Sequence, residues 1–247
     1  MLHKLLLKAG YRITKVTNEE KSYPDLEKEF WNFYYACKPY TMTGVQRMYA
    51  LYQSVHYIIK NKISGDFVEC GVWKGGNPMM IAKVLQASNI TDRKIFLYDT
   101  FEGMSEPTAD DKNYKGKDAR EMMDATDRTK ADSVWCYSPL DEVQENMKQT
   151  GYPKDQVVFV KGKVEETIPR IAPAKIALLR LDTDWYESTY HELTHLFPLL
   201  SKKGVLIIDD YGYWEGCRKA TDHYLEENQL ALLLQRIDST GRIALNF

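Results

Sequence analysis

The 247-residue chain predicts an α/β fold: a doubly wound, mostly parallel seven-stranded sheet with a C-terminal antiparallel hairpin and an N-terminal helical extension. Three observations predict it. Five short apolar runs follow residue 65, "DFVECG", "KIFLYDT", "VVFVKG", "KIALLRLD" and "GVLIIDD", each running into Gly or Asp. They are apolar throughout, as strands buried on both faces are. Between them, stretches at 77–87, 139–149, 187–200 and 215–228 read as the helices that parallel neighbours need as crossovers. Finally, "LALLLQRID" and "RIALNF" are separated by Ser239, Thr240 and Gly241, a turn that predicts a closing hairpin.

Taken in chain order, "MLHKLLLKAGYRITKV" places basic residues around only three consecutive leucines, with no small-residue cleavage site after them. A peripheral helix or arm is expected, not a signal peptide. Residues 24 to 62 carry Phe30, Trp31, Phe33 and Tyr34, then Met48, Leu51, Tyr52, Val55, Ile58 and Ile59, near helical spacing. Residues 1–62 are therefore read as a helical cap of the same domain whose catalytic body is 63–247. The stretch from Phe101 to Trp135 is polar and weakly periodic, and connections beyond about 12–15 residues are uncommon. It is a candidate lid.

Charge and composition narrow the partners. A formal charge of −2, from 33 basic and 35 acidic residues, gives no field for nucleic acid or an anionic membrane. No run approaches the ~20 apolar residues of a membrane span. Cys37, Cys70, Cys136 and Cys217 are scattered without a C-x-x-C, which suits a reducing cytoplasm. A small molecule is the expected substrate.

The first strand runs into "GVWKGG", a turn with Gly71, Gly75 and Gly76 before a helix. Such glycines let a ligand approach the backbone at a helix N-terminus. The dinucleotide fingerprint fails, because Glu69 and Lys74 stand where its first and third glycines belong. Glu69 instead suits a ligand with a cationic end, as in S-adenosylmethionine. Asp99, ending the second strand, is placed to accept ribose hydroxyls. Gly162 and Val164 offer a turn and an apolar contact for an adenine ring.

Two patterns in "LLRLDTDWYESTYHELTHLF" compete for the chemistry. Asp182 ends the fourth strand, and Asp209 with Asp210 ends the fifth, so parallel pairing brings three carboxylates to one edge for a hard cation such as Mg²⁺. Asp184 can reach the same space. His191, Glu192 and His195 spell the zinc-protease pattern H-E-x-x-H, but Pro198 stands where the longer metzincin form needs glycine. That helix also lies between two strands, so the histidines are expected at the surface or facing a partner. D-x-D phosphatases and glycosyltransferases share the acid pattern; the former place more between D-x-D and D-D, and the latter leave the glycine turn unexplained. A non-catalytic S-adenosylmethionine-binding protein is the alternative from another class.

"YTMTGVQRMYAL", "DFVECGVWKGG", "YDTFEGMSEPT", "ALLRLDTDWYEST" and "LIIDDYGYWEGCRKATDHY", in order across roughly residues 40 to 230, resemble the macrocin O-methyltransferase (TylF-type) family of sugar O-methyltransferases. The resemblance implies a class I methyltransferase (Rossmann-like) fold, S-adenosylmethionine as donor and a divalent cation. It maps metal ligands onto Asp182, Asp209 and Asp210 and a general base onto Asp184. The donor site maps onto Glu69, Cys70, Gly71, Val72, Trp73 and Gly75, then Asp99, Thr100 and Phe101, then Gly162 and Val164, with Asp182 shared between donor and metal. Lys74 replaces the family's arginine in that turn. The acceptor it implies is a sugar or another vicinal diol in natural-product or glycoside biosynthesis. It also implies a homo-oligomer, in which the Tyr40 to Thr43 segment helps cover a neighbouring site.

Overall fold

The structure, a computed structural model, describes residues 19–247 apart from 129, 131 and 132; the arm expected at residues 1–18 lies outside them. The chain divides into two compact units between Asn32 and Phe33. In the first, a short helix α1 (Glu19–Ser22) precedes the start of α2 (Lys28–Cys37), where the Phe30 and Trp31 rings meet edge to face at 5.3 Å. The second unit begins within α2 and contains everything that follows. Helix α3 (Val45–Lys60) buries Met48, Leu51, Tyr52, Val55 and Ile58, one face of a 3.6-residue period.

The five apolar runs become β1 (Asp66–Cys70), β2 (Ile95–Asp99), β3 (Val157–Lys161), β4 (Ile176–Leu181) and β5 (Leu200–Ile208), all parallel. Two tail strands, β6 (Gln235–Arg236) and β7 (Arg242–Leu245), complete the order β3-β2-β1-β4-β5-β7-β6, with β7 antiparallel to β5. β4, the central strand, is buried along its whole length. Crossover helices α4 (Gly76–Ala87), α6 (Leu140–Lys148), α8 (Tyr186–Leu196) and α9 (Glu215–Glu227) fall where the sequence marks them. Two shorter helices, α5 (Ala119–Asp124) and α7 (Val164–Thr167), sit in the long connections.

Strand order reverses at β1, whose successors lie on opposite sides of it, and in such sheets ligands bind beyond the carboxyl ends at this point. Register makes the edge specific. Cys70 lies beside Tyr98 and Leu181, and Leu181 beside Ile208, so Gly71, Asp99, Asp182 and Asp209 leave the sheet at one level.

Two elements depart from expectation. α8 stops at Leu196 and passes into a 3₁₀ turn, Phe197–Leu199, because Pro198 has no N–H to continue the ladder. The tail is less of a hairpin than its leucines suggest: only Gln235 and Arg236 pair with β7, and Leu233 is 76% exposed. The turn is held by Asp238, which accepts the Thr240 and Gly241 amides at 2.9 and 2.7 Å. Beyond it β7 supplies four residues, of which only Arg242 and Ile243 face β6.

Described residues of the stretch from Phe101 to Trp135 meet the carboxyl edge: Gly103, Met104 and Ser105 line a cleft there. The ends of the stretch are tied where Met104 N donates to Trp135 O at 2.8 Å, and its middle bridges Asn113 to Trp214. Asp111, 0% exposed, accepts the Tyr186 amide at 2.8 Å and so caps α8, whose own N-cap Trp185 has no side-chain acceptor. Among the described residues no helix is long and apolar enough to cross a membrane.

Candidate active site

The β1 turn is fixed by close approach. Gly71 has φ 80°, and a Cβ there would strike the carbonyl of Asp182, so only glycine lets the β1 and β4 ends pass. The Asp182 amide in turn donates to Cys70 O at 2.8 Å. Gly75, at φ 87°, begins α4 in a left-handed conformation. Asp99 braces the turn from the next strand. One carboxylate oxygen accepts the Val72 and Trp73 amides at 2.7 and 3.1 Å, and the other accepts Phe101 N at 2.7 Å. Burial raises the Asp99 pKa, and those three amides work against the rise.

At the ends of β4 and β5, the carboxylates of Asp182, Asp184 and Asp210 converge, with one oxygen from each within 4.8 Å of the others. Burial pushes all three well above the ordinary carboxylate range, against the pull of Arg180 at Asp182, and repulsion from neighbouring acids adds to the rise. Asp184 also lies in the left-handed region at φ 70°, uncommon for a residue with a side chain. Asp209 is turned away from this trio, as alternate residues along a strand end are. Its two oxygens meet the guanidinium groups of Arg180 and Arg47. Thus two of the three carboxylates read as metal ligands converge, and Asp184, read as the base, takes the third place.

Arg180 organises the floor. It lies within β4 at 1% exposure and donates to Glu69, to Asp182 at 2.8 Å, to Asp209, and to Thr43 Oγ1 at 3.3 Å. Arg47 joins Asp209 to Asp238, the latter at 3.0 Å. Glu69 is fully buried behind Arg180, and burial drives its pKa up to about 7 against the pull of that guanidinium. Its Oε2 has no hydrogen-bond partner among the described residues.

A cleft of ≈ 380 Å³ runs along this edge, within the roughly 300–1,000 Å³ usual for small-molecule sites. Of the residues singled out in the sequence, Gly71, Val72, Trp73, Asp99, Thr100, Gly162, Val164, Asp182, Asp184, Asp209 and Asp210 line it. Glu69, Cys70, Gly75 and Phe101 lie behind the wall. The segment Tyr40 to Thr43, expected at a neighbouring subunit's site, lines the cleft of its own chain. Sequence reasoning missed Arg180, Arg47 and Asp111. An arginine inside the apolar run "ALLRLD" was the available signal for the first, since a buried cation requires acidic partners.

The H-E-x-x-H helix contributes no metal group. The His191 and His195 rings lie 4.4 Å apart, but His191 Nε2 contacts Ile168 O at 2.9 Å. Glu192 points the other way: it is fully buried and accepts from Thr183 Oγ1 at 3.1 Å. Among the described residues the only candidate metal group is the aspartate trio.

Sheet order, antiparallel β7, a glycine turn after β1 and acids after β2, β4 and β5 are those of a class I methyltransferase sheet, and the family match and relatives make the chain an S-adenosylmethionine-dependent O-methyltransferase. The chain belongs to the macrocin-O-methyltransferase (TylF) family, which it matches over residues 11–244. It is 35% identical over 202 residues to 8-demethyl-8-(2,3-dimethoxy-alpha-L-rhamnosyl)-tetracenomycin-C 4'-O-methyltransferase of Streptomyces olivaceus, covering 82% of this chain and 74% of that one. Demethyldecarbamoylnovobiocin O-methyltransferase of Streptomyces niveus is 34% identical over the same share of each. Among solved structures, the O-methyltransferase NovP is 32% identical with a TM-score of 0.72, covering 84% of this chain and 82% of that one. CalS11, a calicheamicin methyltransferase, is 18% identical with a TM-score of 0.60 over 94% of each chain, a likeness of fold alone.

Proposed function

We propose that this enzyme transfers a methyl group from S-adenosylmethionine to a hydroxyl of a sugar or other vicinal diol, with a divalent cation, in the biosynthesis of a glycosylated natural product. The observation that carries the reading is the shared wall: the turn at Gly71 and the acids after β4 touch, so donor and acceptor meet across one contact. The sugar-directed names of the relatives support the acceptor class. Four unpaired cysteines, three of them buried, support a reducing cytoplasm. A homo-oligomer without membrane or nucleic-acid partners is part of the same proposal.

Both groups fit the residues present. Glu69, Asp182 and Asp209 pair with two guanidinium groups while Asp184 and Asp210 pair with neither, and hard oxygen donors with excess negative charge match Mg²⁺. Asp182 and Asp210 would hold it, while Asp209, engaged by both Arg180 and Arg47, stays outside the set. Bound there, Mg²⁺ would supply a Lewis acid that lowers the pKa of the acceptor hydroxyl. Asp184 is assigned as the general base that takes the proton of that hydroxyl. For the donor, Asp99 is assigned to the ribose and the Gly162 turn with Val164 to the adenine; Glu69, expected at the cationic end, is paired with Arg180 behind the cleft wall and is not assigned a donor contact. In-line alignment of the methyl with the oxygen then supplies much of the acceleration.

The test is calorimetric titration of S-adenosylhomocysteine into the protein with and without Mg²⁺, followed by a methylation screen over vicinal-diol glycosides. Product binding and methylation of a glycoside are expected. No binding under either condition would falsify the reading.

A further inference from the structure

The acids fix where a reacting hydroxyl sits; the remainder of an acceptor must lie against the wall beyond them. Trp214 and Tyr213 line the cleft there, and they belong to a line of aromatic rings that runs from the buried Trp185 to Tyr114 outside the cleft lining. Trp185, 1% exposed, meets Trp214 edge-on at 4.9 Å; Trp214, 4% exposed, lines the cleft with Asp184 and meets Tyr213 at 5.0 Å. Tyr213 lines the cleft and lies 5.5 Å from Tyr114, which is 56% exposed. Burial therefore falls along the series from the base outward.

An exposed ring on a surface loop means little by itself. Here the backbone beneath it is fastened from several sides. Tyr114 N donates to Tyr213 O at 2.7 Å, Glu215 N donates to Lys112 O at 2.8 Å, and buried Asp111 caps α8 from the same segment. Such anchoring holds an apolar ring in water without burying it, so it positions the ring rather than stabilising a core. Lys115 Nζ lies 5.3 Å over the Tyr114 ring.

We propose that Tyr213 and Tyr114 form an outer subsite for an apolar, planar aglycone ring attached to the methylated sugar. This rests on the sugar-acceptor reading above. The two rings already meet each other at 5.5 Å, so a ligand ring would stack on their outer edges rather than between them. A nucleoside-diphosphate sugar fits less well, because four aspartates line that end of the cleft and its Arg47 is already paired with Asp209 and Asp238.

The experiment uses the full chain with donor and Mg²⁺, and matched methyl and 4-nitrophenyl glycosides of rhamnose, glucose and mannose. The 4-nitrophenyl member of a reacting pair should show the lower KM. Tyr114→Ala should reduce the KM ratio, methyl over 4-nitrophenyl, by about five- to tenfold, and Tyr114→Phe should restore it. An unchanged ratio in Tyr114→Ala overturns the subsite. So does tighter binding of nucleoside-diphosphate sugars that is lost in Lys115→Ala and kept in Tyr114→Ala. Failure of every glycoside to bind or react, with S-adenosylhomocysteine still bound, overturns the sugar-acceptor reading and the subsite with it.

Discussion

Replacing Arg180 by methionine removes one guanidinium and leaves three acids facing a buried gap. Glu69 and Asp209 are 0% and 3% exposed, so neither can turn to water. Breaking a buried ion pair by deleting one partner costs about 3–5 kcal/mol, since the survivor stays buried and uncompensated. In a domain of this size each kcal/mol moves the Tm by roughly 2–4 °C, which predicts a fall of about 6–20 °C. The pH dependence adds a second signature. Glu69 has its folded pKa raised from 4.5 to about 7, so its contribution favours the folded state at low pH and declines as pH rises between those values. Without Arg180 its pKa climbs further, and the decline continues above pH 7. The gap between wild type and variant should therefore widen by up to about 1.4 kcal/mol per pH unit above 7. Urea denaturation at pH 6, 7 and 8, with Glu69→Gln added to both backgrounds, is the assay. A loss under about 1 kcal/mol, or a gap that ignores both pH and Glu69→Gln, would show that Arg180 is not the counterion of this floor.

Asp184→Asn should lower turnover about 10²–10⁴-fold while Mn²⁺ and S-adenosylhomocysteine still bind in calorimetry; lost Mn²⁺ binding would make Asp184 a ligand and move the base elsewhere. His191→Ala with His195→Ala should leave metal content and turnover close to wild type, and a parallel loss of both would return the chemistry to the H-E-x-x-H helix. Asp111→Ala strips acceptors from the amides of Tyr186 and Thr108, which should lower stability by about 1–3 kcal/mol in urea melts; an unchanged midpoint would mean that α8 is capped by other means.

The parallel sheet was legible because each buried strand is a short apolar run ending in a residue that turns the chain. So was the acid edge, since parallel pairing puts Asp182 and Asp209 at one level whatever else the fold does. What pairing could not give was the direction of each side chain beyond the last hydrogen bond. Asp209 and Asp210 are adjacent, yet one faces two arginines and the other faces Asp184 and Asp182. Arg47 is invisible for a related reason: it reaches Asp209 across 162 positions of sequence, and an arginine on an amphipathic helix reads as a solvated residue. The leucines after Leu230 misled in the opposite sense, because strand-like composition says nothing of whether a partner strand is long enough to pair with it.

Asp99 carries a different implication. Its carboxylate holds three amides of the loops on either side of it, Val72, Trp73 and Phe101, through protein contacts alone. The conformational entropy of shaping that corner has therefore been spent during folding. If the donor binds there as proposed, it meets a corner already ordered, so little of its binding energy would be diverted into ordering loops and more would be left to press the methyl group toward its target.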